Sequence, residues 1–210
     1  MKLRFSVPGD EPGLKDLWRA VFGDPDEIID SFFREVYTPG MAYLAEEQGR
    51  IVAGAYGVPF GEFRYIFAVA TLPEYRGQGL GRRVTLGCAA EERAYLSPAE
   101  PSLVKWYRSM GAEIVGHRPI YELCKPIREI PAQEYAERRE ALLAGKKHAV
   151  YSPGVLRFFS TYGKFYLTEN GIAAMEGDTV HEALPCKVGS EPYLLGLNGA
   201  EPLYWGLTLA

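Results

Sequence analysis

The chain has 210 residues, of which 47 % are hydrophobic and 24 % charged, an ordinary composition for a globular protein of one large domain or two small ones. Its net charge of −4 is carried without a basic tail or stripe, so nucleic acid and membrane surfaces are not expected as partners. The cysteines form no CxxC pair, which disfavours a zinc or thioredoxin-type site and suits a reducing compartment, so we expect a cytoplasmic protein. No apolar run approaches about 18 residues, and neither a signal peptide nor a membrane span is predicted.

The N-terminal stretch predicts a strand followed by two helices. Residues 3–7 are strand-like, and residues 14–22 carry apolar side chains at helical spacing. The second helix is predicted over residues 24–37, with Asp24 as its N-cap and Glu27 completing a capping box.

Three strands and a helix are predicted next. Residues 41–60 contain two strand-like runs joined at Gln48-Gly49, a dipeptide typical of a tight turn. Residues 63–72 form a third apolar run, rich in aromatic and β-branched side chains. Residues 79–94 then have helical composition.

A further helix is predicted over residues 97–112, opened by a capping box of Ser97 and Glu100. Only residues 95–97 are then left to form a strand between the two helices. Either the first of these helices ends early, or the strand is a stub, or residues are missing after Ala94.

The C-terminal part of the chain predicts a second set of elements. Residues 112–125 are interpreted as two strands, and residues 127–133 as a connector. Helices are predicted over 134–145 and 152–163, and strands over 164–169, 171–176, 179–184 and 203–209. The sequence also looks short between Pro185 and Cys186, and it does not tell whether residues are missing there.

The most informative stretch is TLPEYRGQGLGRRV, residues 71–84. A glycine-rich turn between a strand and a helix offers unsatisfied N–H groups, a positive helix dipole and close approach to the backbone, which are typical of a pyrophosphate site. The Walker A pattern GxxxxGK[ST] is absent, and the dinucleotide pattern GxGxxG fails because Arg82 occupies the third glycine position. A glycine-rich turn that only caps a structural helix is the alternative.

Two motifs carry a resemblance to a known family. Arg76, Gly79 and Gly81, preceded by an aromatic strand and a Pro-x-Tyr, resemble the coenzyme-A loop of the GNAT superfamily of N-acetyltransferases. WYRSMGA, residues 106–112, resembles the superfamily's later aromatic-Tyr-x-x-x-Gly-Phe motif, with alanine in place of the phenylalanine. The resemblance covers about residues 3–125. It implies an α/β (α+β) GNAT fold, in which helices flank a mixed, splayed sheet.

The resemblance also implies which residues would hold acetyl-CoA. The backbone near Val69, Ala70 and Thr71 would polarise the acetyl carbonyl as an oxyanion hole. Tyr107 would protonate the departing thiolate. The pyrophosphate would be held by the loop and the first turn of its helix, through Arg76, Gly77, Gln78, Gly79, Leu80, Gly81 and Arg82.

The predicted domain boundary follows from the same resemblance. Residues 1–126 would form the GNAT acetyl-CoA-binding catalytic domain, and residues 127–210 a smaller C-terminal lobe. The order of elements in the lobe echoes the start of a second GNAT fold, although it contains neither motif. This organisation is similar to tandem acetyltransferases of the enhanced-intracellular-survival type, in which a degenerate second half packs on the first.

Other polar residues supply weaker candidates. Glu62, just before the central strand, is our candidate for a general base, against the alternative of a solvated carboxylate. The acidic cluster of residues 24–30 would either attract a cationic amine or only complement a helix dipole. The histidines, including the candidate base His117, show no metal-ligand spacing, so no metal is expected.

We therefore expect an acetyl-CoA-dependent N-acetyltransferase that moves the acetyl group directly to a primary amine of a small molecule or peptide. Cys88, on the packing side of its helix, is a poor candidate for an acyl-enzyme nucleophile. The alternative from another class is a non-catalytic acyl-CoA-binding or sensor module, whereas Arg82 disfavours a dinucleotide oxidoreductase. The sequence specifies neither the acceptor nor the oligomeric state.

Overall fold

A computed structural model describes residues 1–90, 92–116, 119–120, 125–185, 189–190, 194–204 and 206–207. The chain forms two compact units, Met1–Leu96 and Ser97–Ala210. The predicted boundary between residues 126 and 127 falls inside the second unit and stays a prediction. Among the described residues, no helix has the length and apolar character needed to cross a membrane.

The first unit is a sheet with helices. In chain order its elements are β1 (Lys2–Phe5), α1 (Glu11–Phe22), α2 (Asp26–Glu35), β2 (Ala42–Glu47), β3 (Arg50–Phe60), β4 (Phe63–Thr71), α3 (Leu80–Ala89) and β5 (Ala94–Leu96). The predicted turn at Gln48-Gly49 is confirmed. Both residues have positive φ, as a two-residue hairpin turn requires.

The sheet of the first unit is mixed, as predicted. Its strand order is β1-β2-β3-β4-β5, with antiparallel pairs throughout except for the parallel pair of β4 and β5. On one face, Leu14 and Leu17 of α1 lie over Gly54 of β3, and on the other Tyr43 lies against Gly87 of α3. Because helices cover both faces, β3 is buried along almost its whole length.

The N-terminus of α2 differs from the prediction. The helix begins at Asp26 with Pro25 in the cap position, and no side chain caps it. Asp24 instead accepts a hydrogen bond of 2.7 Å from the indole Nε1 of Trp18. Trp18 is buried, so its N–H needs an acceptor, and this need takes the carboxylate away from the helix end.

The connection from α3 to β5 explains the short sequence after Ala94. The predicted helix over residues 79–94 is wrong at its C-terminus, because α3 ends at Ala89 and Ala90 leaves the helix with a φ of 49°. The chain then turns into β5, which has only three residues, all buried. The expected strand is therefore present in a shortened form.

The second unit contains a four-stranded antiparallel sheet. Its elements are α4 (Leu103–Arg108), β6 (Glu113–Gly116), β7 (Pro119–Ile120), β8 (Pro126–Ile130), α5 (Ala132–Leu142), α6 (Pro153–Phe159), β9 (Lys164–Thr168), β10 (Ile172–Glu176), β11 (Thr179–Leu184), β12 (Gly189–Ser190) and β13 (Leu194–Leu197). The four strands lie in the order β8-β9-β10-β11, β6 pairs with β13, and β7 pairs with β12. A strand, two helices and three antiparallel strands thus occur in the order seen in the first unit. That the lobe is a degenerate GNAT-like half stays a prediction.

The helix predicted over residues 97–112 is much shorter in the structure. α4 begins at Leu103, and Ser102, not Ser97, occupies its cap position. The predicted capping box is therefore wrong, since Glu100 binds the hydroxyl of Ser102 instead. Gly111 does end the segment, with a left-handed φ of 98°.

The core of the second unit contains a buried ion pair that the sequence did not indicate. Nε of Arg139 on α5 lies 3.0 Å from a carboxylate oxygen of Glu182 on β11, and both side chains are almost fully buried. The hydroxyl of Tyr135 also donates to Glu182, and Nη1 of Arg139 donates to the backbone carbonyl of Ala149 at 2.7 Å. The carboxylate and two of the three guanidinium nitrogens thus have hydrogen-bond partners, as buried charges require.

Candidate cofactor-binding site

The end of β4 is irregular. Gly54 of β3 pairs with Ala70, but Tyr56, two residues on, pairs with Phe67, three residues back along β4. One extra residue is therefore accommodated, and Ala68 takes a φ of 47°. In the described part of this unit, β5 pairs with β4 at Arg64 and Tyr65 only. The bulged C-terminal half of β4, which contains Val69, Ala70 and Thr71, is paired on its β3 side.

A compact turn connects β4 to the glycine loop. Leu72 is buried and anchors the end of the strand, and residues 73–75 form one turn of 3-10 helix. Nε of Arg76 then donates to the backbone carbonyl of Thr71 at 3.3 Å. The side chain of Arg76 thus connects the two ends of the turn, a structural role that the sequence motif alone did not indicate.

Gly77 and Gly79 supply the conformation of the loop itself. Their φ values are 77° and 73°, in the left-handed region where a side chain is strained. A Cβ built on either glycine would have no atom within 4 Å, so the loop borders open space. Both glycines and Gln78 are exposed.

The loop runs directly into the N-terminus of α3. Gly79 occupies the cap position, where no side chain covers the helix end, and Leu80 is buried beneath it. Gly81 lies in the first turn, where its carbonyl accepts a hydrogen bond of 2.8 Å from the hydroxyl of Thr85. Arg82 is exposed at the same helix end. First-turn N–H groups have no acceptor inside a helix and carry the positive end of its dipole, so this surface can bind an anion such as a phosphate.

Cys88 is on the packing side of α3, as predicted. Its side chain is completely buried, and burial raises the pKa of the thiol to about 12. A thiol in that state supplies almost no thiolate at neutral pH, and the thiolate is the nucleophilic form.

Tyr107 lies on α4 in the second unit. Only 7 % of the residue is exposed, and burial raises the pKa of its hydroxyl to about 12. The ring packs edge-on against that of Trp106, with the ring centres 4.7 Å apart. Ala112, which replaces the phenylalanine of the motif, is also buried. Tyr107 therefore holds its proton at neutral pH and can act as a hydrogen donor.

The structure does not bring Glu62 to the glycine loop. Glu62 lies in the turn before β4, is exposed and faces Arg93 at 3.6 Å. β4 has nine residues and the loop follows its other end, so at about 3.3 Å per residue the two are separated by roughly 30 Å.

The acidic cluster is largely neutralised by α1. Arg19 and Lys15 make ion pairs of 2.8 and 2.9 Å with Asp26 and Asp30. With Asp24 bound to Trp18, the geometry favours helix–helix pairing over attraction of a cationic amine.

The histidines offer no metal site in the part of the chain that the structure describes. His148 contacts Glu140 and a backbone carbonyl, and His181 contacts Glu176. His117, Cys124 and Cys186 lie outside the described residues. Within those residues, no group of three or more His, Cys, Asp or Glu side chains could hold a metal ion.

The first unit thus combines a mixed sheet, a bulged strand and an open glycine turn at a helix N-terminus. Residues 12–112, just under half of the chain, match the model of the acetyltransferase (GNAT) family. No curated protein matches the sequence significantly.

Solved structures show the same fold. A GCN5-related N-acetyltransferase from Anabaena variabilis ATCC 29413 is 16 % identical, with a TM-score of 0.62 over 82 % of this chain and 53 % of that one. One from Kribbella flavida is 18 % identical, with a TM-score of 0.58 over 90 % and 57 %. Eis1 from Mycobacterium abscessus is 18 % identical, with a TM-score of 0.56 over 83 % and 53 %. The chain thus spans little more than half the length of these relatives.

Proposed function

We propose that this protein is an acetyl-CoA-dependent N-acetyltransferase. The observation that carries the proposal is the open turn at Gly77 and Gly79, which places bare backbone at the N-terminus of α3. A pyrophosphate fits this surface because it is a doubly charged anion that accepts several N–H hydrogen bonds at once. The match to the GNAT family model supports coenzyme A as the molecule that carries the pyrophosphate.

The bulged end of β4 is proposed to receive the rest of the cofactor. The pantetheine arm has amide groups that can pair with an exposed strand edge as an added strand would. We assign the backbone of Val69, Ala70 and Thr71 to this contact and to polarisation of the acetyl carbonyl. A bulge suits this task because it turns backbone groups away from the neighbouring strand.

The reaction is proposed to be direct. The lone pair of the amine attacks the thioester carbonyl carbon, the C–S bond breaks, and the sulfur leaves as a thiolate that takes up a proton. The buried thiol of Cys88 argues against an acyl-enzyme. Tyr107 is the proposed proton donor, because it occupies the tyrosine position of the aromatic-Tyr-x-x-x-Gly motif, and its phenol, with a pKa of about 12, carries its proton at neutral pH. The acceptor is proposed to be a primary amine of a small molecule or peptide.

Two measurements test the proposal. Thermal-shift titrations with acetyl-CoA, CoA and NAD separate the cofactors, and we expect stabilisation by the first two alone. A panel of amines is then assayed for release of free thiol from acetyl-CoA. Stabilisation by NAD without CoA would overturn the proposal. Binding of CoA with no thiol release from any amine would favour the non-catalytic acyl-CoA sensor.

A further inference from the structure

The contact between Tyr43 of β2 and Gly87 of α3 is closer than any residue other than glycine would allow. A Cβ built on Gly87 would lie 2.2 Å from Cε1 and 2.4 Å from Cδ1 of the tyrosine ring. Glycine in a helix interior is less favourable than alanine by about 1 kcal/mol, so its presence calls for a packing reason. The ring of Tyr43, flush against the helix backbone, supplies that reason.

Tyr43 is itself held in place by its neighbours on the sheet. In the sheet, Tyr43 of β2 is paired with Phe5 of β1 on one side and with Ala55 of β3 on the other. Its ring also meets the ring of Phe5 edge to face, with the ring centres 5.0 Å apart. The ring of Tyr43 therefore sets the distance between the sheet and α3 at Gly87.

Arg64 holds the C-terminal end of the same helix. Its Nη1 donates to the carbonyl of Cys88 at 3.3 Å, and its other nitrogens bind Glu92 at 2.9 and 3.0 Å. A Cβ on Gly57 would lie 2.7 Å from Cδ of Arg64, so the side chain lies directly over β3. The cation also complements the negative end of the helix dipole. α3 is thus tied to the sheet at two points, both distant from its N-terminus.

We propose that Tyr43, Gly87 and Arg64 are positioning residues for the cofactor, an inference that rests on the proposed function. A helix of ten residues moves as a rigid rod of about 15 Å. The height of Gly87 above the sheet therefore sets where the N–H groups at Gly79 and Leu80 meet the pyrophosphate. None of the three positioning residues belongs to the glycine loop.

The size of the effect follows from the contact. In Gly87→Ala, the new methyl group must retreat from 2.2 Å to an ordinary contact of 3.4 Å, a shift of 1.2 Å. Hydrogen bonds to oxygen tolerate only about 2.7–3.2 Å, and a misplacement of about 1 Å can cost about 10²-fold. We expect Gly87→Ala to weaken CoA binding by about tenfold or more.

The experiment compares cofactors with and without the pyrophosphate. CoA affinity is measured by calorimetry, and kcat/KM is measured with acetyl-CoA and with acetyl-pantetheine, which lacks the pyrophosphate. Gly87→Ala should lose CoA affinity and kcat/KM for acetyl-CoA but keep kcat/KM for acetyl-pantetheine. The double variant Gly87→Ala/Tyr43→Ala, which removes the ring, should recover CoA affinity. Gly9→Ala, where a Cβ would meet no atom within 4 Å, is the matched control.

A second variant serves if Gly87→Ala does not fold. Arg64→Met keeps the aliphatic stem over Gly57 but loses the hydrogen bonds to the carbonyl of Cys88 in α3 and to Glu92 beyond its end. It should weaken CoA binding several-fold with acetyl-pantetheine turnover unchanged. Wild-type CoA affinity in Gly87→Ala, or equal losses with both acetyl donors in either variant, would overturn the inference. Failure of the wild-type protein to bind CoA would overturn the proposed function as well, and that result is distinguishable because it involves no variant.

Discussion

Replacement of Gly79 by alanine tests the proposed pyrophosphate site at the N-terminus of α3. The backbone there has a φ of 73°, and a Cβ would meet no atom within 4 Å. The structural cost is therefore conformational strain alone, about 1–2 kcal/mol for a side chain in the left-handed region. For a chain of this size we expect the melting temperature to fall by roughly 2–8 °C.

Gly49 provides a matched control for that strain. It has a φ of 80°, and a Cβ there would also meet no atom within 4 Å. Gly49→Ala should therefore cost about the same stability. Only at Gly79 does the methyl group enter the space assigned to the pyrophosphate. Loss of one hydrogen bond to a charged group, about 1.5–3 kcal/mol, corresponds to a fall in CoA affinity of about 10- to 100-fold.

The assay combines differential scanning fluorimetry with calorimetric titration of CoA. Both variants should melt below the wild type by similar amounts, whereas only Gly79→Ala should lose affinity. Equal CoA affinity in the two variants would refute the assignment of the pyrophosphate to this helix end. A much larger loss of stability at Gly79 than at Gly49 would refute the argument that strain is the whole structural cost.

Three further predictions concern buried groups. Because burial raises the pKa of Tyr107 to about 12, this group should cause no alkaline loss of turnover below about pH 11. Tyr107→Phe should lower kcat by about 10²–10⁴ with CoA affinity retained. An unchanged kcat would remove the residue from the mechanism. Cys88→Ala should keep both turnover and sequential kinetics, because a thiol with a pKa of about 12 is not ionised at neutral pH. Loss of activity in a folded variant would instead favour a mechanism with an acyl-enzyme at Cys88. Glu182→Gln should lower the free energy of unfolding by about 3–5 kcal/mol, measured by urea denaturation, because it removes the buried counter-charge of Arg139 and leaves only the half-exposed Glu140, 3.2 Å from Nη1. A change below about 1 kcal/mol would contradict this reasoning.

The strands and the glycine loop were predictable because their signals are local. Two strand-like runs joined by a tight Gln48-Gly49 turn predict β2 and β3, and the positive φ of Gly79 is a property that glycine permits by itself. Motif spacing then indicated the helix N-terminus. These features require no knowledge of distant residues.

Local rules misplace a group, or leave its role open, where a distant residue interacts with it. Asp24 is a good N-cap by composition, but the buried indole of Trp18 competes for it. The sequence left open whether the acidic cluster attracts an amine or complements a helix dipole, and it gave no sign that Asp26 and Asp30 meet cations on a neighbouring helix. Glu62 precedes β4 in sequence, and only the direction of the strand shows that it is at the far end from the loop. Tertiary pairing of this kind has no short-range signature.

The ion pair of Arg139 and Glu182 has a consequence for how the second unit selects its fold. Glu182 stands opposite Ala174 in the pairing of β11 with β10. If β11 slipped by one residue, its side chains would exchange faces, and the carboxylate would leave Arg139. An uncompensated charge in the interior costs about 3–5 kcal/mol, more than most apolar mismatches. The ion pair therefore disfavours a one-residue slip of this edge strand while the sheet assembles.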